Sequence, residues 1–246
     1  MSFLFHLSSF PLRAEARHAS EIVSEILFGE CFDVIESASS WLKIKLLSDG
    51  YEGWLEYTGT FPTVDTPPDN LVMEPGVLTG PKGSIELHIG ARVDVGETMV
   101  VAKNRYQINA RINQKPEFEI DGLLSVASSF LNTPYYWGGR TNRGIDCSGF
   151  VQNVFSVFGI QLPRDAYQQE ELGTPVTFEE AQKGDLAYFT NKKGRITHVG
   201  LITEPGKIIH ASEMVRIDRL DDQGIWRNDL QRYSHHLASI KRVAHL

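Results

Sequence analysis

The chain has 246 residues, with 24 lysines and arginines against 31 aspartates and glutamates, and 2 cysteines. A hydrophobic fraction of 41% and aromatics along the whole length exclude disorder, and the chain is long enough for about one to three compact units. A net charge of −7 with no basic run beyond doublets such as Lys192-Lys193 excludes nucleic acid as a partner, and two cysteines in dissimilar segments exclude a disulfide scaffold.

No run reaches the roughly 18 apolar residues of a membrane span, so no membrane partner is expected. The start, MSFLFHLSSFPLRAEA, lacks a basic leader region and carries Pro11 and Arg13 where a signal peptide is still apolar. It reads as a first strand, and with reduced thiols it points to the cytoplasm. Residues 1–62 hold short apolar runs punctuated by turns: Ile26 to Phe28 before Gly29, Phe32 to Ile35, Trp41 to Leu47, then Asp49-Gly50 and the aromatic turn YEGWL. Strands every ten residues or so predict a small barrel. Cys31 reads as a small apolar residue of its core.

Between 63 and 116 prolines crowd the first half, and strand-like segments at 84–101 and 106–112 fill the second. This stretch reads as a connector with a second small β unit, or as an elaboration of the first. From 117 onward the pattern becomes helical. Residues 121–131 carry an i, i+3, i+4, i+7 stripe with Asp121 as N-cap. After PYYWGGRTNRGI, whose Trp137, Gly138 and Gly139 read as loop architecture approaching a cleft, DCSGF opens a second helix that stops at Gly159. A polar helical stretch follows LPRD, and then come strand candidates at 184–189, 196–203 and 207–215. Helices first and sheet later is the α+β order.

Cys147 stands at the start of the second helix, where unpaired N–H groups and the helix dipole favour a thiolate and lower a thiol pKa into roughly the 3.5–7.5 range. The plain alternative is a buried core thiol; the polar or bare neighbours Asp146, Ser148 and Gly149 argue against it. A thiolate needs a base, and His198 and His210 flank a turn at Glu204-Pro205-Gly206. A three-residue loop pairs Thr203 with Lys207 and sets His210 opposite Gly200, with His198 on the same face one diagonal step away. A four-residue loop would split the two histidines between faces. Nucleophile, base and orienter make a hydrolytic triad; taken singly, each histidine reads first as a satisfied strand residue, and it is the pair flanking one turn, with a cysteine at a helix start, that shifts the balance. A zinc site of Cys147, His198 and His210 lacks any CxxC or HExxH spacing, so neither metal nor cofactor is expected. His6, His18, His88, His235, His236 and His245 read as surface residues.

PYYWGG, DCSGF, LPRDAYQQ, GDLAYF, THVGL and IIHAS, in this order over residues 117–246, resemble the NlpC family of bacterial cell-wall cysteine peptidases. PLRAE, LFGE and DGYEGWLEY resemble a bacterial Src homology 3-like domain. The resemblance implies a papain-like α+β fold, with helices packed on an antiparallel sheet behind an all-β barrel at 1–62. It implies Cys147 as nucleophile, His198 as base and His210 as its orienter, with Tyr135 and the Cys147 N–H stabilising the oxyanion.

Relatives with this domain order cut murein stem peptides bearing a free L-Ala, between γ-D-glutamate and the diamino acid, as in cell-wall recycling, with the barrel closing one end of the cleft. The substrate contacts expected on that basis are Asp146, Ser148, Tyr51 and Arg164, with Arg164 also able to pair with Asp165. The family carries Ser or Ala after its PRD motif. Ala166 here lacks the hydroxyl that would touch the substrate amine. Two other readings keep parts of this evidence: a murein-binding protein with a degenerate site, and a secreted hydrolase or acyl-transfer enzyme of broader specificity.

Overall fold

The structure, a computed structural model, describes residues 2–113 and 118–243; His245 lies outside them. The chain divides into two compact units, Met1–Pro116 with Trp137–Asn142, and Glu117–Tyr136 with Arg143–Leu246.

The first unit is all strand. β1 (Ser2–Leu4), β2 (Ser9–Arg13), β3 (Ile22–Leu27), β4 (Cys31–Ala38), β5 (Trp41–Leu46), β6 (Glu52–Glu56) and β7 (Thr63–Val64) form one sheet in the order β3-β2-β6-β5-β4-β1-β7. Its core is Phe5, Leu12, Ile26, Phe32, Ile44, Leu46 and Leu55. Cys31 is buried as expected, and burial pushes its thiol up to about 11.

The strand expected at 84–101 is broken at glycines with positive φ, Gly90 and Gly96, which only turns accommodate cheaply. Residues 70–113 hold β8 (Asn70–Val72), β9 (Gly76–Gly80), β10 (Gly83–Leu87), β11 (Arg92–Val93), β12 (Thr98–Val101), β13 (Asn104–Asn109) and β14 (Ile112–Asn113), in sheets β10-β9-β13-β12 and β11-β8-β14, and β10, β11 and β12 take the place of the one strand expected at 84–101. Phe28, from the turn after β3, belongs to their core with Val72, Leu78 and Leu87. Gly29 beside it has φ +79°, and any Cβ there would meet Arg92 O at 1.9 Å. The two sets of strands therefore pack through a bare backbone position.

The second unit begins with α1 (Ile120–Ser129), whose N-cap position is Glu119, without a side-chain capping bond, and the expected cap Asp121 lies inside the first turn. Two short strands, β15 (Arg140–Thr141) in the first unit and β16 (Gly144–Ile145) in the second, precede α2 (Cys147–Ser156) and α3 (Ala166–Glu170). β17 (Thr174–Val176), β18 (Leu186–Thr190), β19 (Ile196–Glu204), β20 (Lys207–Ser212), β21 (Met214–Asp221), β22 (Gly224–Arg227) and β23 (Arg232–Arg242) make an antiparallel sheet in the order β17-β23-β18-β19-β20-β21-β22. β23 also pairs with β22, so six of these strands close on themselves. The single strand expected at 207–215 is two, parted at Glu213 with φ +64°. α2 is buried throughout and packs on β19 and β20. One face of the closed sheet carries Ala187, Phe189, Ile202, Ile208, Leu220, Ile225 and Ile240. Alternation places His198 and His210 on that same face, beyond Ile202 and Ile208.

Candidate active site

Asp146 is extended at φ −94°, ψ 176° and accepts from Gly149 N at 2.7 Å, so α2 starts at Cys147. The thiol is 5% exposed and lies 3.9 Å from Thr197 O, against the stretch of β19 that bears His198. The expectation of an exposed, acidified thiol is corrected here. Burial pushes the Cys147 thiol up to about 12, with the adjacent Asp146 anion adding to the effect. Backbone hydrogen bonds from Val199 and Ser148 oppose it without overcoming desolvation.

β19 and β20 meet through a two-residue turn, Pro205-Gly206, and not the expected three-residue loop; Glu204 pairs with Lys207. A bulge between Ile202 and Glu204 restores the register, so Leu201 pairs with Ile209 and the next step sets Gly200 opposite His210. His198 Nε2 and His210 Nδ1 lie 2.8 Å apart, and His210 Nε2 lies 3.1 Å from Asp218 Oδ2. Burial, followed by the facing imidazoles His235 and His210, holds His198 well below the usual histidine range. Burial also lowers His210, against the opposing pull of Asp218. Burial thus acts on the thiol and on both imidazoles in the direction of their neutral forms.

Asp146 is occupied. Arg164, 2% exposed, donates from Nη2 to Oδ2 at 2.5 Å and from Nη1 to Oδ1 at 3.0 Å. Ser148 accepts from Arg164 Nη1 at 3.0 Å and donates to Asp146 Oδ1 at 3.3 Å. Arg164 thus pairs with Asp146 and holds its carboxylate from both oxygens. Half-buried Tyr135 donates its N–H to Glu213 O at 2.8 Å; burial raises its hydroxyl pKa, so the phenol stays a donor. Tyr135, Thr197, His198, Ala211, Ser212, Glu213 and His235 line a cavity of about 250 Å³. Tyr51 belongs to the first unit, where it packs against the barrel core. Gly138, at φ +78°, makes its close approach to Ile22 O, within the first unit.

Of the histidines expected at the surface, His88 is buried and His6 and His235 are half-buried. His88 lies between Ser8 Oγ at 3.2 Å and Asn142 Oδ1. His235 stacks on His198 with centroids 4.0 Å apart and planes at 20°. Sequence reading missed both His235 and Asp218. The alternation Val215-Arg216-Ile217-Asp218-Arg219-Leu220 was a legible strand signal that would have carried Asp218 toward His210. His198, His210 and His235 place nitrogens within 4.8 Å of one another, the arrangement among the described residues that a metal ion would find. The near-parallel His198 and His235 rings aim their in-plane lone pairs alongside one another and not at a common point, and His198 Nε2 and His210 Nδ1 are spent on each other. The set fits a proton relay better than a metal cage.

Residues 132–234 match the NlpC/P60 family model, and residues 12–59 match the model for the bacterial dipeptidyl-peptidase Sh3 domain. A protein named "Probable endopeptidase NlpC" from Escherichia coli K12 is 41% identical over 106 residues, 42% of this chain and 68% of that protein. The chain belongs to the NlpC/P60 family. A gamma-D-glutamyl-L-lysine dipeptidyl-peptidase of Bacillus cereus is 27% identical over 232 residues, covering 81% of this chain and 70% of that protein. The crystal structure of an NlpC/P60 family protein from Bacillus cereus superposes with a TM-score of 0.86 at 20% identity, covering 99% of this chain and 100% of that one. The papain-like fold, preceded by an SH3-like domain, is thereby shared across nearly the whole chain.

Proposed function

We propose that the protein is a cysteine endopeptidase that hydrolyses the bond between γ-D-glutamate and an L-diamino acid in murein stem peptides with a free N-terminal L-Ala. The observation that carries this is the His198–His210 contact at 2.8 Å on the strand against which the Cys147 thiol lies. Cys147 Sγ attacks the γ-glutamyl carbonyl as its proton passes to His198 at the nitrogen not engaged by His210. The Cys147 N–H and the Tyr135 hydroxyl receive the developing oxyanion. His198 then returns the proton to the departing amine of the diamino acid. Water, activated by the same imidazole, cleaves the thioester. Because burial favours the neutral form of both thiol and imidazole, His198 acts as a general base during attack.

The choice of bond is supported by the relative named for γ-D-glutamyl-L-lysine, and the free amine by its description as a dipeptidyl-peptidase. Asp146 and Ser148 supply the anion and hydroxyl that meet the substrate's ammonium, with Arg164 holding the carboxylate in place. Free-amine peptides are products of prior trimming, which suits recycling in the cytoplasm. The test is mass spectrometry of products from L-Ala-γ-D-Glu-L-Lys and its diaminopimelate counterpart, each with and without an acetylated amine. Cleavage of the free forms alone, after γ-D-Glu, and none by Cys147→Ala, is expected. Turnover by the Ala variant overturns the nucleophile; equal cleavage of acetylated peptide overturns the amine requirement.

A further inference from the structure

Asp218, on β21, has no part in the three-residue set, yet it ends the hydrogen-bonded chain that runs through it. It is 8% exposed and touches wholly buried His210. Arg216 Nη2 donates to Asp218 Oδ1 at 2.9 Å, and Arg216 Nε lies 2.8 Å from Oδ2. Burial would raise the Asp218 pKa, but the hydrogen bonds from His210 and Arg216 hold it below the ordinary carboxylate range, so the group is ionised and only accepts.

We infer that Asp218 is a positioning residue that fixes the tautomers of both histidines. A neutral imidazole has one N–H. Facing a carboxylate, His210 carries it on Nε2, which leaves a lone pair on Nδ1. That lone pair faces His198 Nε2, which must therefore carry the other proton. The remaining nitrogen of His198, Nδ1, is then unprotonated and ready to accept from a thiol. The reverse assignment would set the His210 Nε2 lone pair against carboxylate lone pairs in a buried site. Register explains the placement: β20 and β21 pair His210 with Arg216 and Ile208 with Asp218, so Arg216 and Asp218 share the face of His210. Asp229 is 3.4 Å from Arg216 and 2.6 Å from Arg227, and Glu213 is 3.1 Å from Arg227. These groups, with His235 of β23, complete the charged and titratable surroundings of Asp218 and His210.

The inference rests on the proposed function for its consequence, but its core is a protonation site that can be read without substrate. In the wild-type protein, long-range proton–nitrogen correlation spectra of ¹⁵N-histidine-labelled material should show His210 protonated at Nε2 and His198 at Nε2. In Asp218→Asn, Arg216 retains the amide oxygen and the NH₂ turns to His210, which reverses both tautomers. By analogy with the loss of the orienting aspartate in a hydrolytic triad, kcat should fall by about 10²–10⁴-fold with KM within about threefold. Wild-type His210 protonated at Nδ1 overturns the inference whatever the variant does. So does a folded Asn variant that keeps kcat within twofold. If Cys147→Ala still turns over substrate, the proposed function fails, while the spectra continue to decide the tautomer.

Discussion

A cysteine at a helix start invites the assumption of a thiolate, and at the residue scale this site shows why position alone does not decide protonation. Helix N-terminal N–H groups favour the anion, but Cys147 is almost fully desolvated and Asp146 is next to it, so its thiol is pushed up to about 12. His198 is moved the other way by burial and by two neighbouring imidazoles. The sign of the pH dependence follows. Protonated His198 cannot accept the thiol proton, so kcat/KM rises as pH climbs through the His198 value, and that value lies below 6.5. The acid limb of the kcat/KM profile should therefore have its midpoint under pH 6.5, as an apparent value of the coupled pair. A midpoint above 6.5 would contradict the direction in which burial moves His198. Cys147, His198 and His210 were legible in the sequence because each sits in a short local motif. The pKa directions were not, because they depend on burial that only the closed sheet creates.

At the scale of elements, the register of β19 against β20 is the decisive feature. Sequence parity pointed to the face shared by His198 and His210, although the loop was shorter than expected and a bulge supplied the missing residue. Asp218 lies on β21, the hairpin partner of β20, where the strand pattern was legible; His235 escaped notice because β23 pairs with β18 and β22, and a local pattern cannot connect it to His198 on β19. Gly200 shows how tight the register is: a Cβ there would meet His210 Cβ at 2.8 Å and Ile208 Cδ1 at 2.7 Å. Both contacts come from β20, the strand that carries His210. Gly200→Ala should cost about 1–3 kcal/mol of stability by overpacking and lower kcat by displacing His210. Chemical denaturation and steady-state kinetics on the same preparation check this. Loss of stability with kcat unchanged would show that the hairpin absorbs the methyl without moving the histidine.

Across the whole molecule, the sequence segment between α1 and α2 does not stay with the helices that flank it. Trp137–Asn142 is part of the first unit, where Trp137 Nε1 donates to Glu21 at 2.7 Å and the Arg140 backbone N–H donates to Glu25 at 2.7 Å. Sequence order had assigned this stretch to the helical half, since nothing local in WGGRTN names a partner more than a hundred residues away. Its anchor is the ion pair of Arg140 with Glu30, at 2.9 and 3.0 Å and with both side chains under 10% exposed. Glu30 also accepts from Leu27 N at 2.8 Å, so its carboxylate serves the turn after β3 as well as the guanidinium. Removing one partner of a buried pair leaves an uncompensated charge and costs about 3–5 kcal/mol, whereas an exposed pair contributes about 0–1 kcal/mol. The first unit supplies its own comparison in Arg111–Glu74, with side chains 66% and 54% exposed. Urea unfolding should therefore show Glu30→Gln losing several kcal/mol where Glu74→Gln loses less than one. Equal, small losses in the two variants would mean that Glu25 and the backbone contacts hold Arg140 without Glu30.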